Sequence, residues 1–130
     1  MTCYSGYGVT KEKESDLEDL VRHLICIDLA SGVILWQNNI EASLPEDSYY
    51  KSGVSSHGYA SHTPVSDGRN VYAFLGKGGV YAFDLDGNEL WHADAGKESD
   101  PPKWGSSSSP ILYRDTLIVT ASAESQSIIG

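Results

Sequence analysis

Two stretches of this chain are used twice, and their spacing constrains the fold more than any other feature. The string CIDLASGVILW at 26–36 returns as AFDLDGNELW at 82–91. Each copy reads as strand, Asp, short turn ending in Gly, strand, Trp. Between and after them TPVSDGRNVYA at 63–73 aligns without a gap on SPILYRDTLIV at 109–119, a period of 46 residues. A strand-rich repeat of that length is the signature of a propeller blade, a four-stranded sheet that buries its faces only against neighbouring blades. The longer spacing from Asp28 to Asp84 is absorbed by one loop, because the connection after Trp36 is longer than the one after Trp91. Insertion into loops, with the strand register kept, is how repeat proteins vary.

Turn chemistry and strand composition lay out the chain. Residues 1–130 read as a partial β-propeller of about two and a half blades, all-β and antiparallel. A partial blade is expected over 1–40, carrying an insertion at 6–23. A long loop follows at 41–57, then a complete blade at 58–94, a loop at 95–103, and a second partial blade at 104–130. Asp67-Gly68, Lys77-Gly78 and Asp86-Gly87 mark the turns of the complete blade. Inside the insertion, Ser15 to Glu18 has the form of a capping box, and Leu17, Leu20, Val21 and Leu24 fall at helical spacing, which predicts about two helical turns. Runs such as Val71 to Leu75 barely alternate, as expected of sheets covered on both faces. The repeat register starts and stops within blades, so the chain is expected to be a fragment of a larger propeller whose remaining blades are its first partners.

Composition excludes several classes. A net charge of −9 leaves no basic surface for nucleic acid or an anionic membrane. A 40% hydrophobic content with thirteen aromatics supports packing rather than disorder. No apolar run is long enough to span a membrane, and the N-terminus lacks a basic and apolar signal segment. Cys3 and Cys26 are too few for a disulfide framework and fit no metal spacing; a bridge between them depends on strand pairing.

The pattern small-x-Asp-x-x-Ser/Thr-Gly-x-x-x-Trp, carried by Cys26 to Trp36 and, one residue shorter, by Ala82 to Trp91, resembles the tryptophan-docking motif of PQQ-like repeat β-propellers. That superfamily includes quinoprotein alcohol dehydrogenases and BamB-like envelope assembly factors. The blocks at 58–68, 87–91 and 104–113 are similar to uncharacterised bacterial PQQ-binding-like propellers. The resemblance covers nearly the whole chain. It implies the fold, a structural docking role for Asp28, Gly32, Trp36, Asp84, Gly87 and Trp91, and a periplasmic or extracytoplasmic location. Pyrroloquinoline quinone with calcium would be expected only in a complete parent protein.

Read residue by residue, the chemistry is sparse. Trp36 and Trp91 are expected to pack between blades rather than stack on a ligand. Asp28 and Asp84 are expected to accept backbone N–H groups of the turns that follow them. Tyr59, His62, Ser106 and Ser108 are the channel-lining candidates, since innermost strands line the central channel of a propeller. His57 and His62 lack the carboxylate spacing of a metal site, and no Gly-x-Ser-x-Gly elbow accompanies His62 and Ser108. The Gly76 to Gly79 segment lacks the following helix a phosphate loop needs and reads as a hairpin turn. No catalytic, metal or cofactor-binding residue is assigned. The function expected is a non-catalytic scaffold or binding module, with a protein partner through the loops; the alternatives are a quinoprotein dehydrogenase fragment and a BamB-like assembly factor.

Overall fold

The computed structural model describes residues 1–10 and 15–130. Among the described residues ten strands form three antiparallel sheets. The first contains β1 (Thr2–Ser5), β2 (Val21–Ile27) and β3 (Ile34–Glu41) in that order. The second contains β4 (Val65–Ser66), β5 (Asn70–Phe74), β6 (Val80–Asp84) and β7 (Glu89–Ala93). The third contains β8 (Ile111–Tyr113), β9 (Thr116–Ala121) and β10 (Ser127–Ile129). This is an all-β chain of consecutive propeller blades. The repeat reaches down to irregularities in pairing. The β2–β3 ladder shifts register between Cys26 and Ile27, and the β6–β7 ladder shifts at the matching point, between Ala82 and Phe83.

Sheets of this kind hold together through their faces. Leu24, Ala73, Leu75 and Phe83 form a buried cluster joining the first two sheets, with Trp36, Ile40, Val71 and Tyr81 packed around it. Phe74, Val80, Ala95, Val119 and Ala121 form a second cluster, between the second and third sheets. Polar contacts set the stacking. Thr2 Oγ1 donates to the carbonyls of Ala60 and His62, and Ser109 Oγ accepts from Thr63 N at 2.8 Å. A third cluster is built from loops: Tyr7, Leu20, Val54 and Tyr59, edged by Tyr4, Tyr49 and Tyr50.

The expected helix in the insertion is not formed. Leu17–Asp19 makes one 3-10 turn, and Asp19 Oδ2, not Glu18, accepts from the backbone N–H of Asp16. Val21 and Leu24, placed on a helical stripe by spacing, belong to β2. Two ladders, to β1 and to β3, reward the extended form of that segment, whereas a two-turn helix is marginal alone. Lys11 to Glu14, part of the same insertion, lie outside the described residues. In the innermost strand of the complete blade only Val65 and Ser66 pair with β5. The register sets Cys3 opposite His23 and Cys26 opposite Trp36, and both thiols are free.

Candidate functional site

Tyr59, His62 and Ser106 converge on one buried neighbourhood where the sheets meet the loops, while Ser108 is exposed and lies outside it. The neighbourhood is filled by charged residues that the repeat did not single out. Arg22, on β2, forks onto the Glu46 carboxylate with Nη1 to Oε1 at 2.7 Å and Nη2 to Oε2 at 3.0 Å. Its Nε donates to the carbonyl of Tyr59 at 3.1 Å. Lys77 Nζ donates to the Pro45 carbonyl and to Ser99 Oγ, and sits 3.0 Å from Asp47 Oδ2. Ser99 Oγ is in turn within 2.8 Å of both Asp47 oxygens. All four charged side chains are buried. A buried bidentate pair offsets its desolvation only with further hydrogen bonds, and here Glu46 Oε1 also accepts from Ser43 N at 3.0 Å. The effect is mechanical: one blade-borne cation clamps the 41–57 loop, and the next clamps that loop together with the 95–103 loop.

Aromatic packing closes one side. Tyr59 OH donates to the Asp47 carbonyl at 2.5 Å, and its ring meets Tyr4 edge-on at 5.5 Å. Burial first, then the neighbouring Tyr7 and Glu46, holds the Tyr59 phenol well above its ordinary pKa, so it stays a donor. His57 Nε2 lies 2.5 Å from the Trp104 carbonyl, and its Nδ1 lies 3.1 Å from Ser61 Oγ.

On the other side, Glu124 is only 2% exposed. Its Oε2 accepts from Ser106 Oγ at 2.5 Å, and Oε1 accepts a longer bond from Ser106 N. His62 is 3% exposed, packs its ring 4.5 Å from Phe74, and among the described residues has no hydrogen-bond partner at either nitrogen. Desolvation, reinforced by His57 and Arg22, pushes its pKa down to about 4, so the ring is neutral at physiological pH. A cavity of about 40 Å³ lies among these groups.

Three of these positions share a level in the repeat. Arg22, Lys77 and Glu124 all stand at or beside the connection between the second and third strands of successive blades. Two signals in the sequence could have found them. One is an arginine inside the apolar run Val21–Ile27. The other is a lysine within a glycine-rich turn that has no phosphate to bind.

The residues of the Asp-to-Trp copies occupy a different place. Asp28 Oδ1 accepts from Ser31 N and Ser31 Oγ, and Asp84 Oδ1 accepts from Asp86 N and Asn88 N. Gly32 and Gly87 both adopt φ near +80°, at +73° and +88°. Trp36 Nε1 donates to the Leu85 carbonyl at 2.8 Å, and its ring lies where a Gly87 side chain would stand. A model of the family described as outer membrane protein assembly factor BamB matches residues 8–128. The chain belongs to the BamB-like PQQ-repeat family. Comparison with curated proteins and with solved structures gives no match.

The second tryptophan of this BamB-like repeat lies on β7, the last strand of the second sheet. Trp91 is 43% exposed and borders a groove of about 720 Å³ with Tyr72, Leu112, Arg114 and Leu117. The groove is the repeat-equivalent of the space that the 84–87 turn fills against Trp36.

The quinone associated with PQQ-like repeats does not fit the buried cluster. Its two buried cations, Arg22 and Lys77, are already paired with carboxylates, and the adjoining cavity holds little more than a water molecule or two. Among the described residues no group of three or more His, Cys, Asp or Glu side chains could hold a metal ion, and no helix is long and apolar enough to cross a membrane.

Proposed function

We propose that this chain is part of a non-catalytic β-propeller binding module of the bacterial envelope, meeting a protein partner through the 41–57 and 95–103 loops. The observation that carries the reading is the pair of buried clamps, Arg22–Glu46 and Lys77–Asp47–Ser99. They immobilise two long connections whose exposed residues include Lys51 and Lys103. Ordering a loop before it binds removes an entropic cost from association. Membership in a family described as an outer membrane protein assembly factor favours a periplasmic location and a role in assembly. The segment is proposed to bind no pyrroloquinoline quinone by itself.

Site-specific photo-crosslinking in the native host tests this. A crosslinking residue at Lys51 or Lys103 should give a discrete protein adduct, and one at Arg69, in a turn far along the complete blade, should not. Absence of adducts at both loop positions sinks the reading. So does quinone- and calcium-dependent dye reduction by the purified protein, which would put the dehydrogenase alternative first.

A further inference from the structure

Gly76, Glu124 and His62 line one small cavity, and the glycine lets the two polar side chains come close to the backbone. A Cβ at this position would stand 3.3 Å from Glu124 Oε1 and 3.9 Å from His62 Cε1. Both residues have unmet requirements. The ion pairs of the described residues engage Glu46, Asp47 and Glu89, and none reaches Glu124, whose partners are the Ser106 hydroxyl and amide. A buried carboxylate without a cation is costly. Among the described residues His62 has no partner for either of its two buried nitrogens. In its neutral form one nitrogen is an acceptor, which suits a ligand rich in N–H donors.

The space beside them selects among occupants. The cavity of about 40 Å³ admits a small head group and nothing the size of a cofactor. Trp104, 50% exposed, lines the same cavity, and an indole ring can hold a cation against its face. The local cations Arg22 and Lys77 are committed elsewhere. Two ligating groups are too few for a metal ion to displace its water, whereas an ammonium or guanidinium needs only acceptors around several N–H groups. The net charge of −9 draws cationic partners toward the whole molecule.

We propose that the cavity beside Gly76 receives the charged head of a basic side chain, Lys or Arg, carried by a partner protein. This rests on the reading of the chain as a protein-binding module and names the chemistry one contact would use. Glu124 supplies the counter-charge, His62 accepts a second N–H, and Trp104 holds the cation against its ring.

The test uses the whole 130-residue chain labelled with nitrogen-15, with His62 ring nitrogens observed by NMR. Capped tripeptides with a central Lys, Arg, Ala or Glu serve as probes. Lys or Arg peptide should shift the His62 ring resonances saturably, with the two arms separating ammonium from guanidinium. Glu124→Gln should weaken that response by about tenfold or more. If Glu124→Gln fails to fold, Trp104→Leu, at a half-exposed position, should still weaken it several-fold. Equal responses to Ala or Glu peptides, unchanged affinity in a folded variant, or a His62 response to zinc instead of the peptides would each overturn the proposal. Loss of the peptide response while crosslinks at Lys51 and Lys103 persist rejects this contact alone, and loss of the crosslinks rejects the binding-module reading itself.

Discussion

The indole N–H of Trp36 donates to the carbonyl oxygen of Leu85, which lies 49 residues later and in the next sheet. Asn38 Nδ2 adds a parallel bond to the Gly87 carbonyl at 2.8 Å. One outer strand thus reads the backbone of its neighbour's turn, and Gly87 is small so that the ring can lie on it. Removing the ring should expose the Leu24–Phe83 cluster and leave a carbonyl without its donor. Trp36→Ala is expected to cost about 2–4 kcal/mol, and Trp91→Ala under about 1.5 kcal/mol, since Trp91 is already 43% exposed. Urea midpoints measured on both variants decide this; a larger shift for Trp91→Ala would contradict it.

Gly87 can be probed separately. Its φ of +88° disfavours any L side chain, and a Cβ would stand 2.7 Å from the Trp36 ring. Gly87→Ala should therefore destabilise by about 1–3 kcal/mol, part strain and part displaced indole. Gly32 has φ +73° but open space around it, so Gly32→Ala should carry the strain alone. The difference between the two variants in thermal melts isolates the contact with the Trp36 ring. Equal losses would mean that the indole adds nothing.

The loop clamps predict an asymmetry between ion pairs. Glu46→Ala strands the buried Arg22 guanidinium without its counter-charge, which should cost about 3–5 kcal/mol and loosen the 41–57 loop. Lys103→Ala should cost under about 0.5 kcal/mol, because its 3.9 Å approach to Asp47 is made from an exposed position. Limited proteolysis of the loop supplies an independent readout. A Glu46→Ala protein as resistant as the parent would refute the clamp.

His62 gives the fold a pH dependence with a definite direction. Its folded pKa of about 4 lies below the unfolded value of 6.5, so the unfolded chain binds the proton more readily. Stability is fully present above about pH 6.5 and falls as pH drops from there toward 4, by about 3 kcal/mol in all. Arg22 and His57 act in the same sense, and buried Glu124 also borders the site. His62→Gln should flatten the stability profile between pH 6.5 and 4. Parallel profiles for variant and parent would assign the dependence elsewhere.

The exposed turns act in the same sense as His62, at lower pH. The Asn88 side chain and amide hold the Asp84 carboxyl below its ordinary range, and Ser31 does the same for Asp28. Their turn hydrogen bonds are present above the ordinary carboxylate pKa and are lost as pH falls through the lowered one. Asp84→Ala should accelerate hydrogen exchange at the Asp86 and Asn88 amides without changing exchange at Phe83. Unchanged exchange at Asn88 would show that the carboxylate does not hold the turn.

The sequence by itself determined the blades. The Asp-to-Trp copies, the 46-residue period and the glycines at the turns are local or periodic, so strand, turn and order follow from backbone preference and from faces that need neighbours. It misplaced the segment from Leu17 to Leu24, because helical spacing and a strand edge are both satisfied by those leucines until β1 and β3 compete for them. The buried cluster was legible only in part. His62, Tyr59 and Ser106 stood out as polar residues near a strand start. Glu46, Asp47 and Glu124 read as loop charges, because burial and pairing of a charge are settled by residues dozens of positions away. Tertiary structure alone brought Arg22 to Glu46, Lys77 to Asp47, and His62 and Glu124 to one cavity beside Gly76. Coulomb attraction and desolvation depend on distance in space, and the chain order of those groups does not encode it.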